Sequence, residues 1–321
     1  MEKDKILNNF KFAKFGFYIR AEEDITLPIY KGAMFRGGFG YAFKKIVCIQ
    51  RTRKNCVDCL LRRSCVYSYI FETEPPADTK VLKLYRTIPH PFIIEPPLSS
   101  SRIAKQGESI RFNLILIGKA VDYLPYFVLT FAELGRQGIG RKRGKYTLEK
   151  VEGLDINDNG NVIYTSVDQK LIKDYPLLGA SELHDPEKNN ENSQIEIEFL
   201  TPFRVRFDGK ITDDIKFHVL FRNLMRRVSS LLYFHCGSEM ECDYKAYIED
   251  AEKVDTVSNK LRWFDWERYS TRQKQKMTLG GVLGNVKYEG NLDQFMPFLR
   301  LGKHIHAGKG TSFGLGQYQI K

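Results

Sequence analysis

His304-Ile305-His306-Ala307-Gly308-Lys309-Gly310-Thr311-Ser312-Phe313-Gly314-Leu315-Gly316-Gln317-Tyr318 lies at the end of the chain, and its reading decides the fold. Four glycines alternate with a lysine, two hydroxyl residues and a phenylalanine, just after two histidines. Glycine adopts positive φ and lets backbone approach a ligand closely. Successive backbone N–H groups in such a loop form an anion-binding concavity. The cation of Lys309 and the ring of Phe313 suit a nucleotide better than a bare phosphate. Gly138-Ile139-Gly140-Arg141-Lys142-Arg143-Gly144-Lys145-Tyr146 repeats the arrangement, and both stretches end in Gly-x-Tyr.

The flanking segments repeat too. In the first half, Lys11–Ile19 reads as a strand and Tyr30–Val47 as a helix, despite glycines at 37, 38 and 40. Lys80–Tyr85 and Ser109–Ile117 read as strands, Asp122–Leu134 as a helix and Thr147–Val151 as a strand. After an acidic, Asn-rich linker near Asp185–Ser193, Gln194–Arg206 reads as a strand and Asp213–Tyr233 as a long helix. Leu279–Tyr288 is then a strand, Leu292–Leu301 a helix and Gln317–Ile320 a last strand. Each glycine loop thus joins the second helix of its half to the final strand. The β-α-β-β-α-β order is that of a ferredoxin-like unit. The expectation is an α+β protein of two tandem ferredoxin-like (RRM-like) domains, 1–190 and 191–321, with a Cys-rich insertion at 48–72. Such a sheet leaves one open face, the surface that RNA-binding modules of this shape use. Two unrelated α+β domains with ordinary glycine turns are the alternative.

The chain of 321 residues carries a net charge of +11, which points to a polyanion, nucleic acid first and an acidic membrane surface second. Seventeen tyrosines and twenty-two phenylalanines offer stacking platforms for unpaired bases. No run approaches the roughly 18 apolar residues that span a bilayer, and the charged start Met1-Glu2-Lys3-Asp4-Lys5 lacks the apolar core of a signal peptide. A cytoplasmic protein with six reduced cysteines is expected. Cys48, Cys56, Cys59 and Cys65 form C-x7-C-x2-C-x5-C, a set suited to a structural Zn²⁺. An iron–sulfur cluster and a plain packing cluster remain the alternatives.

Several further pieces accompany these motifs. They are Met34-Phe35-Arg36-Gly37-Gly38-Phe39-Gly40-Tyr41, Val66-Tyr67-Ser68-Tyr69-Ile70-Phe71-Glu72 after the cysteines, Pro91-Phe92-Ile93-Ile94-Glu95-Pro96-Pro97, Tyr269-Ser270-Thr271-Arg272-Gln273 and Leu279-Gly280-Gly281-Val282-Leu283-Gly284. In this order, with the two glycine loops, they resemble the CRISPR repeat-cleaving endoribonucleases of the RAMP superfamily, over nearly the whole chain. The resemblance implies two tandem ferredoxin-like domains, a CRISPR repeat RNA as partner, and cleavage without a catalytic metal. In that chemistry the 2′-hydroxyl attacks the scissile phosphate, giving a 2′,3′-cyclic phosphate and a 5′-hydroxyl. A CRISPR effector complex is a further implied partner, and a catalytically inactive RNA-binding scaffold is the competing function. A zinc-dependent nucleic-acid enzyme is the third and weakest reading, because four thiols would saturate the metal.

The family commonly places a histidine in or just after the first helix, but this chain has none before His90. Tyr41 and Lys44 stand there, three apart and on one helix face. Tyr41 is the candidate acid or orienting group and Lys44 the candidate cation; a core tyrosine beside solvated lysines is the alternative. His306 is the candidate base, for its pKa suits proton transfer. The alternative is that it pins the loop by bonding to backbone. As catalyst it would have to meet Tyr41 and Lys44 across the two domains. RNA contacts are expected from Arg36, from Gly138, Gly140, Arg141, Lys142 and Arg143, from Arg272, and from Gly308, Lys309, Gly310, Phe313, Gly314 and Gly316. Arg222, Arg226 and Arg227, at helical spacing, would flank an RNA groove.

Overall fold

The computed structural model describes residues 6–50, 56–76, 79, 88–183, 193–270 and 275–321. They fall into two compact units that do not part at a single cut near residue 190. One holds Lys11–Leu178 and Ser230–Ser238; the other holds Met1–Phe10, Gly179–Ser229 and Glu239–Lys321.

The first unit runs β1 (Lys11–Ala21), β2 (Ile25–Thr26), α1 (Gly32–Val47), β3 (Phe92–Glu95), β4 (Ile103–Ala104) and β5 (Ser109–Ile117). It continues through α2 (Leu124–Gln137), β6 (Tyr146–Leu154) and β7 (Gly160–Thr165), and the chain leaves it near β8 (Leu178–Gly179). The sheet order is β3-β5-β1-β6-β7, with antiparallel neighbours throughout. The first strand therefore lies between the third and fourth, as a ferredoxin-like unit requires, and β7 extends the β6 edge. The expected strand Lys80–Tyr85 lies outside the described residues. The strand found beside β5 is β3, whose four residues are all buried.

Helix α1 forms despite its glycines because Phe35, Phe39, Ala42 and Phe43 recur at helical spacing and are buried. Each interior glycine costs about 1 kcal/mol of helix propensity. Close packing offsets that cost: a Cβ on Gly38 would sit 3.2 Å from Leu134 of α2. Phe39 stacks on Phe127 and Phe131 with centroids at 4.9 and 4.7 Å, and Phe17 of β1 reaches Phe131 at 5.2 Å.

The second unit runs β9 (Gln194–Phe203), the hairpin β10 (Val205–Phe207) and β11 (Lys210–Thr212), α3 (Phe217–Leu231) and α4 (Tyr244–Ala251). Next come β12 (Asp255–Ser270), β13 (Gln275–Glu289), α5 (Met296–Ile305) and β14 (Tyr318–Ile320). Its sheet order is β12-β13-β9-β14, so again the first strand is flanked by the third and fourth. The two halves share one topology.

Strand β12 and helix α4 were not expected from the sequence. β12 is an edge strand rich in charged and polar residues and exposed at most positions from 255 to 266, so it lacks the alternation of a half-buried strand there. Among the described residues no helix is long and apolar enough to cross a membrane.

Candidate nucleic-acid interface

The C-terminal glycine loop is tied from within. The backbone N–H of Ala307 donates to Gly316 O at 3.0 Å, that of Lys309 to Arg204 O at 2.8 Å, and that of Gly316 to Pro202 O at 3.1 Å. Gly308 N–H donates to Asn223 Oδ1 at 2.8 Å and Gln317 N–H to Thr201 Oγ1 at 2.8 Å. Phe313 and Gly314 close a 3₁₀ turn onto Gly310 O and Thr311 O. Seven of the amides from Ala307 to Gln317 are thus spent inside the protein. The open concavity of N–H donors expected from the glycines is not what they build. They serve approach and conformation: Gly316 has φ +71°, and a Cβ there would lie 1.7 Å from Ala307 O.

His306 ends α5 at φ +61° and is fully enclosed. Its Nδ1 lies 3.1 Å from Leu315 O, which is the loop-pinning alternative of the sequence reading. His304 is buried as well. Arg227 points inward rather than along a groove. Its Nε and guanidinium N–H donate to Ile305 O at 3.0 and 2.9 Å, and Nε also to His306 O at 3.1 Å. A helix C-terminus leaves carbonyls without partners and favours a cation there. Burial lowers this guanidinium to about 9, so it stays charged at neutral pH.

The loop's charge comes from side chains. Lys309 is exposed, and its ammonium is pulled below the ordinary lysine range, first by partial burial and then by repulsion from Arg206, Arg226 and Arg204. Four cations from β9–β10, α3 and the loop converge here. Arg204 is anchored by donating to Gly280 O at 2.7 Å, while Arg206 and Arg226 are exposed. Helical spacing singled out Arg226, whereas Arg204 and Arg206 were passed over. A signal was present: three alternating positions hold Pro202, Arg204 and Arg206 at the end of a strand.

In the first unit, α1 carries a second group. The Arg36 guanidinium lies 4.6 Å over the Phe71 ring and 5.7 Å from that of Phe92, and its Nη2 donates to His90 Nε2 at 2.9 Å. His90 Nδ1 is 3.2 Å from Thr73 Oγ1. A neutral His90 protonated on Nδ1 satisfies both contacts. The loop histidine thereby reaches the first helix, a placement no sequence spacing discloses. Lys44 places its ammonium 5.2 Å from the Tyr67 ring. Tyr41 is 73% exposed, so it is not a core tyrosine.

The first glycine loop is also closed on itself. Ile139 N–H donates to Gly144 O at 3.0 Å and Arg143 N–H to Gly140 O at 3.2 Å. A Cβ on Gly138 would fall 2.1 Å from Arg143 O. Arg141, Lys142 and Arg143 are exposed. Arg272 lies outside the described residues.

Cys48, Cys56, Cys59 and Cys65 are free and half-buried. Among the described residues no group of three or more His, Cys, Asp or Glu is arranged to hold a metal ion, so the expected zinc finds no assembled site. Burial pushes the Cys56 thiol up, and Glu72, Cys48 and Cys65 add to the shift against the pull of Lys44, so three of the four cysteines lie near one another. The Arg62–Glu74 ion pair and Tyr67, stacked on Phe71 at 5.3 Å, hold the insertion.

Residues 10–176 match the AF_1859_N family of N-terminal domains, and residues 197–318 match the family of the CRISPR-associated endoribonuclease Cas6. By the first of these matches, which spans more than half of its length, the chain belongs to the AF_1859_N family, and its C-terminal domain is of Cas6 type. Within it, the cationic loop falls in the Cas6-matched half and the Arg36–His90 pair in the other. An uncharacterized protein of Archaeoglobus fulgidus is 23% identical over 306 residues, covering 92% of this chain and 93% of the relative. A Cas6 product complex superposes with a TM-score of 0.56 at 14% identity, over 97% of this chain and 99% of that one. Thermus thermophilus Cas6 gives 0.53 at 13% identity, with the same coverage. A chain of a Cas6-RT-Cas1–Cas2 complex gives 0.56 at 12% identity, over 98% of this chain and 29% of that one. At these identities the structural likeness speaks for the fold.

Proposed function

We propose that this chain is an endoribonuclease that cuts precursor CRISPR RNA within its repeats, without a catalytic metal, to release guide RNAs. The observation that carries the reading is the convergence of Lys309, Arg204, Arg206 and Arg226 on the loop in the Cas6-matched half. Cations so placed hold a phosphate backbone and make binding salt-dependent. In the reaction the 2′-oxygen forms a bond to phosphorus as the bond to the 5′-oxygen breaks. The 2′-hydroxyl gives its proton to solvent water, the 5′-oxygen gains one, and a 2′,3′-cyclic phosphate and a 5′-hydroxyl result. Lys44 faces the charge that develops on the phosphate, and the exposed Tyr41 hydroxyl is the group placed to deliver a proton. Arg36, steadied by His90, adds a guanidinium to the same helix. His306 acts by shaping the loop. A CRISPR effector complex is the expected partner in assembly.

A second reading is an RNA-holding scaffold without cleavage. It is favoured by one observation: the histidine expected to act as base is fully enclosed. Cognate repeat RNA incubated with the protein in EDTA separates the two. Cleavage that disappears on 2′-deoxy substitution at the cut site supports the endoribonuclease. Tight binding with no cut product leaves the scaffold. Circular dichroism in the same buffer checks that the fold survives chelation.

A further inference from the structure

We propose that the open face of the β12–β13 pair binds unpaired nucleotides of the RNA, with Phe264 as stacking platform and Lys260 and Arg262 as phosphate contacts. The proposal rests on the reading of the chain as an RNA-binding protein of CRISPR processing. Alternate residues of a strand share a face, and Lys260, Arg262 and Phe264 alternate along β12. The register sets them opposite Asn285, Leu283 and Gly281 of β13. Together with Trp263, Leu283, Gly284 and Asn285, these three residues line an open hollow of about 590 Å³. Lys260 and Arg262 are exposed, while Phe264 and Leu283 are half-buried, so the ring has a packed base and an open side. Gly281, across from Phe264, adds no side chain beside the ring.

The spacing suits an extended strand of nucleic acid. Alternate side chains on one strand face stand about 7 Å apart, the stride of roughly one extended nucleotide. Cation, cation and aromatic in that rhythm match backbone tracking plus base stacking, a mode tolerant of base identity. At the inner edge the Asn285 amide donates to the Glu196 carboxylate of β9, which gives that end polar groups for a base edge. Trp263 belongs to the other face. Its Nε1–H donates to Asp265 Oδ1 at 2.9 Å, and its ring occupies the space a Cβ on Gly280 would need. The platform is therefore Phe264. β12 is an edge strand, and such an edge also invites a strand from another protein. The chain's net charge of +11 and the two cations on this face favour RNA.

The test is binding of the full chain to a short fluorescein-labelled oligouridylate, which forms no hairpin, followed by anisotropy. Phe264→Ala should weaken binding about tenfold, and Phe264→Trp should retain it. Arg262→Gln and Lys260→Gln should each lower the slope of log affinity against log salt by about 0.7. Lys245→Gln, which removes an exposed charge from α4, should leave the Phe264-dependent part unchanged. Phe264→Ala melting as the parent does and binding as the parent does overturns the proposal. Should that variant fail to fold, Arg262→Glu decides: unchanged affinity overturns the proposal and a marked loss supports it. Repeat cleavage with Phe264-independent binding sinks only this surface. Phe264-dependent binding without cleavage sinks only the nuclease reading.

Discussion

The two glycine loops occupy the same place in two copies of one topology, yet they carry their charge differently. In each, a tyrosine two residues past the last glycine is buried and bonds back to the helix that precedes the loop. Tyr146 OH donates to Phe131 O at 2.8 Å and Tyr318 OH to Leu299 O at 2.7 Å. In each, a helix glycine makes room for that tyrosine, Gly135 in α2 and Gly302 in α5. Gly-x-Tyr is thus a structural clasp, repeated because the fold is repeated. The charges are where the loops part. Around the first, Asp24 is held low chiefly by Lys105, with Lys142 contributing, and Lys145 N–H donates to Glu23. Around the second, Lys309 is destabilised as a cation, first by partial burial and then by three arginines. The glycines build the scaffold, and the side chains around it decide what it binds.

The largest effect expected from this contrast is on stability, and it should be common to both loops. Gly316→Ala and Gly138→Ala place a Cβ against backbone carbonyl oxygens at φ +71° and +77°. Left-handed backbone alone costs an alanine about 1–2 kcal/mol, and overlap with immobile atoms raises the loss to about 3 kcal/mol or more. Gly37→Ala is the counterweight. It is exposed on α1 with nothing within 4 Å of an added Cβ, so it should stabilise by up to about 1 kcal/mol. Urea melts of the three variants check the set. A mild Gly316→Ala would mean that the loop is open enough to rearrange around a ligand.

Next in size is the clasp. Tyr146→Phe and Tyr318→Phe each remove one buried hydrogen bond and should each cost about 1 kcal/mol. Near-equal losses in thermal melts would sharpen the comparison, whereas a large loss in one half only would break it.

Much of this scaffold was legible in the sequence, and the reason is physical. Ser109–Ile117 and Gly-x-Tyr are dictated by local burial and close approach, which leave their mark on residue type. Strand β12 was hidden because an exposed edge strand needs no apolar alternation. The Arg36–His90 contact was hidden because 54 residues separate its partners. Arg227 looked like Arg226 because a helical period gives spacing and not which face meets the core. Spacing alone could not say how the cysteines are arranged; in the structure Cys48 and Cys65 lie near enough to raise the Cys56 thiol.

The loops should also differ in RNA affinity, by less than the glycine effects. Lys309→Ala should weaken repeat-RNA binding about fivefold and lower the salt slope by about 1. Arg143→Ala, on the loop with acidic neighbours, should change it less. Equal losses would show that net charge, rather than the arginine cluster, governs binding.

The smallest effect is in pH, and its sign follows from the cluster. The free protein holds the Lys309 pKa below the ordinary value, through burial and the three arginines. Bound polyanion would offset that repulsion and raise the pKa again. Below the free-state pKa, Lys309 is charged with or without RNA, so affinity is flat. Above it, binding must take up a proton, and affinity falls as pH rises. The same depression makes the unfolded chain the better proton binder in that window, so the fold gains stability while RNA affinity declines. Lys309→Arg keeps its charge across the range and should flatten the decline. The measurement is anisotropy of a 2′-deoxy-blocked repeat between about pH 7 and pH 10. An unchanged profile in Lys309→Arg would move the titration to another lysine and leave the four-cation cluster without its distinguishing property.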